Sequence, residues 1–353
     1  MANSINVDLE GIEDYSLDTS APYYPSSDAA PCQPLEDVNR YIYVVVYSIV
    51  FLLNIVGNTL VIVVIRHNKL KRSSTDFYLL NLAIADLLFA FTLPFWAAYK
   101  AHEWIFGVTM CKLVCILQEV NFYSGILLLA CISVDRYLAI VRATESVTQK
   151  RHLVKHITAA IWIFSFAISF PTILFKTVFK TPKHGLVCHE DIGAENTVHW
   201  KIIITIGRQL AGFFIPLIIM LFCYGFTIKT LFQTKNNQKQ RAMMVIFAVV
   251  LVFLVCWLPY NITVIVDSLM RTGYINETCD FRNKLDVALP VTEIFGYSHS
   301  CINPILYAFI GQKFRRSFLR ILASKGIIRK ENLPHFVRSS SVMSTSGNTS
   351  TTI

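Results

Sequence analysis

Charge is what this sequence has least of. Only 16% of its 353 residues are Asp, Glu, Lys or Arg, against about a quarter in a soluble globular domain. So few charges do not wet the whole surface of a soluble fold of this size. The signatures of catalysis are also missing, with no His-Glu-x-x-His run and no paired Asp set for work inside a membrane. No internal repeat is visible, which weakens the case for a transporter. No apolar block precedes Tyr41, so no cleavable signal peptide is expected and the first helix must itself direct insertion.

What is abundant is hydrophobic surface, 54% of the residues, gathered into long runs. A hydrocarbon core of roughly 30 Å takes about 20 apolar residues per helical crossing. Seven blocks meet that length: Tyr41–Ile65, Phe77–Tyr99, Cys111–Val134, Val154–Phe175, Ile202–Ile228, Met243–Val266 and Val287–Ile310. The expected fold is an all-α membrane protein, a seven-transmembrane helix bundle. Four regions follow: an acidic, disordered N-terminus over 1–40, the bundle over 41–310, an amphipathic surface helix over 311–327 and a Ser/Thr-rich cytoplasmic tail over 328–353. The third region is read from Phe314, Phe318, Leu319 and Leu322, which recur at helical spacing among Lys and Arg.

Cytoplasmic loops carry the excess of Lys and Arg. Arg66, Lys69, Lys71 and Arg72 lie in the first connection, Arg142, Lys150, Arg151 and Lys155 in the third, and Lys235, Lys239 and Arg241 in the fifth. All three lie on one side, with Lys313, Arg315, Arg316 and Arg320 beyond the last block, while residues 1–40 hold eight acidic residues against the single Arg40. The N-terminus is therefore expected outside the cell and the C-terminus inside. The net charge of +9 is mostly topology and does not indicate nucleic acid.

Four of the nine cysteines, Cys32, Cys111, Cys188 and Cys279, fall on the outer side. An even number in an oxidising compartment suggests two disulfides, with three pairings open. Asn276-Glu277-Thr278 is the one glycosylation sequon in an outer loop; that at Asn261 falls in a helix and that at Asn348 in the cytoplasm.

Ionisable side chains inside a bilayer are expensive and point to function. Asp86, Glu119, Asp135, Arg136, Arg208, Glu293 and His299 are such residues, and they divide into an outer and an inner group. Gly57-Asn58, Leu82-Ala83-Ile84-Ala85-Asp86, Cys111 with Asp135-Arg136-Tyr137, Trp162, Pro216 with Tyr224, Cys256-Trp257-Leu258-Pro259 and Asn303-Pro304-Ile305-Leu306-Tyr307 occur in that order. Together they make the chain resemble a class A (rhodopsin-like) G protein-coupled receptor. Thr92-Leu93-Pro94, Trp104-Ile105-Phe106-Gly107, the unbroken run from Asp135 to Val141 and His299-Ser300-Cys301 are similar to chemokine receptors. The stretches from Asn121 to Cys131 and from Leu221 to Phe226 resemble the CXC receptors of the interleukin-8 class.

That resemblance implies a receptor for a CXC chemokine, a small basic protein, driving leukocyte chemotaxis from the plasma membrane through a heterotrimeric G protein of the inhibitory class. Receptor kinases, arrestin and membrane lipid are the further partners. Of the three disulfide pairings, Cys111–Cys188 and Cys32–Cys279 are those expected. Asp14, Tyr15, Tyr23 and Tyr24 in the acidic N-terminus, with sulfation adding charge, would capture the ligand. Trp104, Lys201, Arg208, Asp267 and Glu293 would meet it at the bundle, although Arg208 has an alternative partner in Glu119.

Activation would run through Asp135, Arg136, Tyr137, Tyr224, Trp257, Pro259, Asn303, Pro304 and Tyr307, the prolines creating kinks about which helices move. Ser339, Ser340, Ser341, Ser344, Thr345 and Ser346 would be phosphorylated to dock arrestin. Asp86, Asn58, Asn121 and Asn303 would surround either an allosteric sodium ion or a water-filled hydrogen-bond network, with Gly125 where relatives place a Ser ligand; no other cofactor is expected. The seventh block has no Lys to hold retinal, which argues against a light-driven pump. Among receptors the rivals are one for another chemoattractant peptide and a chemokine scavenger that does not signal.

Overall fold

The structure, a computed structural model, describes residues 40–67, 73–141, 151–181, 185–191, 197–233, 237–309, 312–324, 326 and 328. Ten α-helices and one hairpin follow among them: α1 Arg40–His67, α2 Ser74–Ala90, α3 Leu93–Ala101, α4 Gly107–Ile140, α5 Arg151–Phe175, β1 Lys176–Thr181, β2 Gly185–Glu190, α6 Thr197–Gln209, α7 Ile215–Gln233, α8 Asn237–Arg271, α9 Cys279–Phe309 and α10 Gln312–Ser324. Helices α2 and α3 form one crossing, as do α6 and α7, so the chain crosses seven times.

Six crossings are long and apolar enough to span a membrane by composition alone. The seventh, α9, has 31 residues, but Glu293, Ser298, His299, Ser300, Asn303 and two prolines interrupt its apolar run. It crosses packed between α8 and α1, which lie along its length. α4 is the central post, packed against α2, α5, α7 and β1. Its Ile126, Leu128 and Leu129 are completely buried, whereas Ile163, Phe166 and Leu174 of α5 are exposed toward lipid.

Two helices depart from regular geometry for reasons written in the sequence. Between α2 and α3, Pro94 removes a backbone donor near the start of the second segment, and Thr92 Oγ1 donates to the Phe89 carbonyl at 2.7 Å. Between α6 and α7, Leu210–Phe214 form a π-helical turn, and there the Tyr123 ring of α4 occupies the space where a Cβ on Gly212 would stand. Elsewhere polar ties hold helices in register. Trp162 Nε1 donates to Asn81 Oδ1 at 3.2 Å, and Asn54 Nδ2 donates to Ser300 Oγ at 2.6 Å. Gly57 permits the closest approach of α1 to α9, since a Cβ there would stand 2.8 Å from Pro304 Cγ.

The β1–β2 hairpin is antiparallel, pairing Val178 with Cys188, and is an addition to the all-α expectation. Its anchor is the expected Cys111–Cys188 disulfide to the start of α4. Trp104 secures it further: the indole is fully buried, Nε1 donates to the Gly107 carbonyl at 2.9 Å, and its backbone N–H donates to Leu186 O at 2.8 Å. Cys279 is disulfide-bonded as well, and Cys32, the partner expected for it, lies outside the described residues. The expected amphipathic helix over 311–327 is α10, with Phe314 against Tyr307 at a 6.3 Å ring separation.

Candidate functional site

Three polar clusters lie along the bundle axis. The outermost is built by α4, α6, α9 and the hairpin. Arg208 Nη1 lies 3.3 Å from Glu119 Oε1 and 3.7 Å from Glu190 Oε1, and Lys176 Nζ lies 3.7 Å from the same Glu190 oxygen. Two cations and two carboxylates thus neutralise one another where burial makes an uncompensated charge costly. Asp267 of α8 is also matched, by Arg271 at 2.8 Å and Arg282 at 3.0 Å.

Glu293 is different. Four residues on, one helical turn, Tyr297 Oη donates to Glu293 Oε1 at 2.6 Å, and Gln118 Nε2 donates to that same hydroxyl. Among the described residues no Lys, Arg or His lies within ion-pair distance of Glu293. It is a half-buried carboxylate, oriented by its neighbours and left without a cation.

The middle cluster surrounds Asp86, which has no exposed surface. Its oxygens accept from Asn121 Nδ2 and Asn303 Nδ2, each at 3.3 Å, and His299 Nε2 stands 3.7 Å away. Trp257 Nε1 donates to His299 Nδ1 at 3.1 Å. That nitrogen is also 2.6 Å from the Gly296 carbonyl, and only one of the two contacts can be a hydrogen bond in a given tautomer. With the tryptophan bond made, the imidazole proton sits on Nε2 and faces Asp86, giving a polar line from Trp257 to the carboxylate. The amide oxygens of Asn58 and Asn303 are buried without a partner. An orphaned Asn303 oxygen on the side chain that bonds Asp86 fits a small hard cation, and it fits ordered water equally well.

At the inner end Arg136 donates to Asp135 Oδ2 through Nε at 3.1 Å and Nη2 at 2.5 Å. Asp135 is 7% exposed and Arg136 25%. Tyr137 lies against Phe222 and Phe226 of α7. Tyr224 and Tyr307 are buried, and the Tyr307 hydroxyl has no hydrogen-bond partner. Pro259 lies within α8 two residues outward of Trp257, and Asn261 Nδ2 donates to Trp257 O at 2.8 Å. The Trp257 ring packs on Phe122 with centroids 4.6 Å apart.

A charged outer pocket, a polar middle and a capped inner arginine thus follow one another along the bundle axis, beside α8 and α9, each of which carries an internal proline. Residues 57–307 match the family described as 7 transmembrane receptor (rhodopsin family). The chain belongs to that family. Its full-length relatives include the C-X-C chemokine receptor type 2 of Homo sapiens, 55% identical over 345 residues, covering 98% of this chain and 95% of the relative. The type 2 receptor of Bos taurus is 54% identical over 346 residues, 98% of this chain and 96% of the relative. The C-X-C chemokine receptor type 1 of Oryctolagus cuniculus is 57% identical over 307 residues, 87% and 86% of the two chains. The molecule is thus a multi-pass membrane receptor of the C-X-C chemokine receptor type, and not an enzyme.

Of the residues expected to meet ligand, the receptor brings Arg208 and Glu293 to the outer pocket. It places Asp267 in ion pairs at the outer end of α8, and it buries Trp104 completely beneath the hairpin, so that the indole presents no surface. The Lys201 side chain lies outside the described residues, as do Asp14, Tyr15, Tyr23, Tyr24 and the six residues expected to be phosphorylated, Ser339, Ser340, Ser341, Ser344, Thr345 and Ser346. Asn276 is exposed between α8 and α9, open to glycosylation, whereas Asn261 is buried. Sequence reasoning missed Tyr297, Gln118 and Glu190. Tyr297 carried a signal, its spacing of four from Glu293; the other two acquire their meaning only when α4 and the hairpin meet.

Proposed function

We propose that this receptor binds basic C-X-C chemokines of the interleukin-8 kind and drives leukocyte chemotaxis through an inhibitory-class heterotrimeric G protein. It acts at the plasma membrane with its N-terminus extracellular and its C-terminus cytoplasmic. Receptor kinases and arrestin end the signal at the phosphorylated tail. The observation that carries the ligand reading is the Glu293 carboxylate. Glu119, Glu190 and Asp267 each have a cation whereas Glu293 has none among the described residues, so an incoming Lys, Arg or α-amino group finds its partner there. The chemokine names of the relatives and the acidic N-terminus support the same ligand chemistry.

Capture comes first, by the acidic segment around Asp14, Tyr15, Tyr23 and Tyr24. The ligand's basic leading segment then reaches Glu293 and draws on its bonds with Tyr297 and Gln118. Tyr297 and Trp257 are in edge contact, with centroids 6.1 Å apart, so a shift of the tyrosine presses on the residue next to the Pro259 kink. Movement of α8 and α9 about Pro259 and Pro304 would release Arg136 from Asp135. Tyr224 and Tyr307 would then turn inward to line the space the G protein enters. The Asp86 cluster is proposed to hold a sodium ion in the resting state, with Asn58, Asn121 and Asn303 around it.

The test is a panel of labelled C-X-C chemokines on cells expressing the full chain, with intracellular calcium as readout. Saturable binding is expected, with calcium release that pertussis toxin blocks and Arg136→Ala abolishes. Binding without any calcium or G protein response would identify a scavenger instead, and no chemokine binding at all would redirect the search to other peptides.

A further inference from the structure

The activation route makes no use of Cys115. This residue lies four positions after Cys111, on the same face of α4, and its thiol is free and buried. Its sulfur is 3.8 Å from Cys188 Sγ, although Cys188 is bonded to Cys111. The three sulfurs of Cys111, Cys115 and Cys188 lie within 4.8 Å of one another. A thiol this near a disulfide sulfur is one exchange step from a different bond.

The gap to close is small, from 3.8 Å to the roughly 2.0 Å of a disulfide, within reach of side-chain rotation at Cys115 and Cys188.

We propose that Cys115 is an alternative disulfide partner for Cys188, so that the outer hairpin has two covalent registers on α4. In the exchange the Cys115 thiolate attacks Cys188 Sγ. The Cys115–Cys188 bond forms as the Cys111–Cys188 bond breaks, and Cys111 leaves as a thiolate that takes up the proton Cys115 gave up. One disulfide and one thiol enter and one of each leave, so no oxidant or reductant is consumed. The covalent anchor moves one helical turn along α4, about 6 Å, toward Glu119. Glu119 already ties the same hairpin through Arg208 and Glu190, so the second register places the covalent and the ionic anchor within one helical turn of each other.

The experiment maps disulfides in the full-length receptor at the cell surface, and Lys112 assists it because tryptic cleavage there separates Cys111 from Cys115. In Cys111→Ser, a Cys115–Cys188 linked peptide is expected with surface expression within about two-fold of the parent. Cys111→Ser/Cys115→Ser should lose the link and fall roughly ten-fold or more in surface level, as removal of a native disulfide does. Equal surface levels for the two variants, or a free Cys188 in Cys111→Ser, would overturn the proposal. The parent supplies a second measurement, by alkylation after incubation in a glutathione redox buffer. Molecules with Cys111 labelled while Cys115 and Cys188 stay protected are expected; if Cys111 and Cys188 are always labelled or protected together, the second register does not exist.

Discussion

At the scale of single residues, the outer pocket is decided by which carboxylate has a cation and which does not. Glu293→Gln keeps the shape and the hydrogen bond from Tyr297 but removes the charge a basic ligand would meet. Losing one partner of a desolvated charge pair costs about 2–5 kcal/mol, so signalling potency should fall roughly 30-fold or more. Binding should fall less, because the acidic N-terminus is untouched; calcium dose–response and labelled-ligand saturation on the same cells separate the two. Equal potency of parent and variant would remove Glu293 from the site. Asp86 yields a second expectation. A sodium ion held there in the resting state, as proposed, would lower agonist affinity, and replacing sodium by a larger cation should raise it in the parent. Asp86→Asn should erase that difference, whereas a site filled only by water shows no difference in either protein.

At the scale of elements, close helix approaches are the features most easily tested. A methyl group on Gly57 would stand 2.8 and 2.9 Å from two carbons of Pro304, and overpacking of this kind costs about 1–3 kcal/mol. Gly57→Ala should therefore lower the thermal midpoint of purified receptor by several degrees. Gly225→Ala is the control: nothing lies within 4 Å of its added carbon, and a helical Gly to Ala change is neutral or stabilising by up to ~1 kcal/mol. Matching losses for both variants would contradict the packing described for α1 and α9.

Much of this level was legible beforehand, and the failures have physical causes. Six of the seven crossings were legible because membrane thickness imposes a long apolar run whatever the tertiary contacts, and α9 was legible because apolar residues still flank its polar interruptions. The break at Thr92 and the π-helical turn at Leu210–Phe214 were not foreseen, because the first needs a local competition between Pro94 and Thr92 and the second needs the Tyr123 ring of another helix. The hairpin was missed since its two strands, six residues each, are stabilised by the disulfide to Cys111 and by Trp104, which both lie outside the hairpin's own sequence. Trp104 was expected as a ligand contact on the strength of the resemblance, yet its contacts are with Trp96, Tyr99 and Phe106. At the inner end Asp135 and Arg136 needed no tertiary information, being adjacent in the chain.

At the scale of the whole molecule, charge is segregated along the membrane normal, and that separates two contributions to ligand recognition. Residues 1–30 contain six acidic side chains and no basic one, so their attraction for a basic protein is long-ranged and screened over about 8 Å at physiological salt. Glu293 is half-buried within the bundle and acts only at contact. Deleting residues 1–30, which leaves Cys32 in place, should therefore lower the association rate on the order of ten-fold at low salt, with a smaller loss at high salt. Glu293→Gln should instead act on signalling and residence time, with a salt dependence of association like that of the parent. Association rates measured by surface plasmon resonance on immobilised receptor, across a range of ionic strength, distinguish the two variants. Parallel salt slopes for the parent and the deletion would mean that the acidic segment does not steer the ligand, and the pocket alone would then have to account for capture.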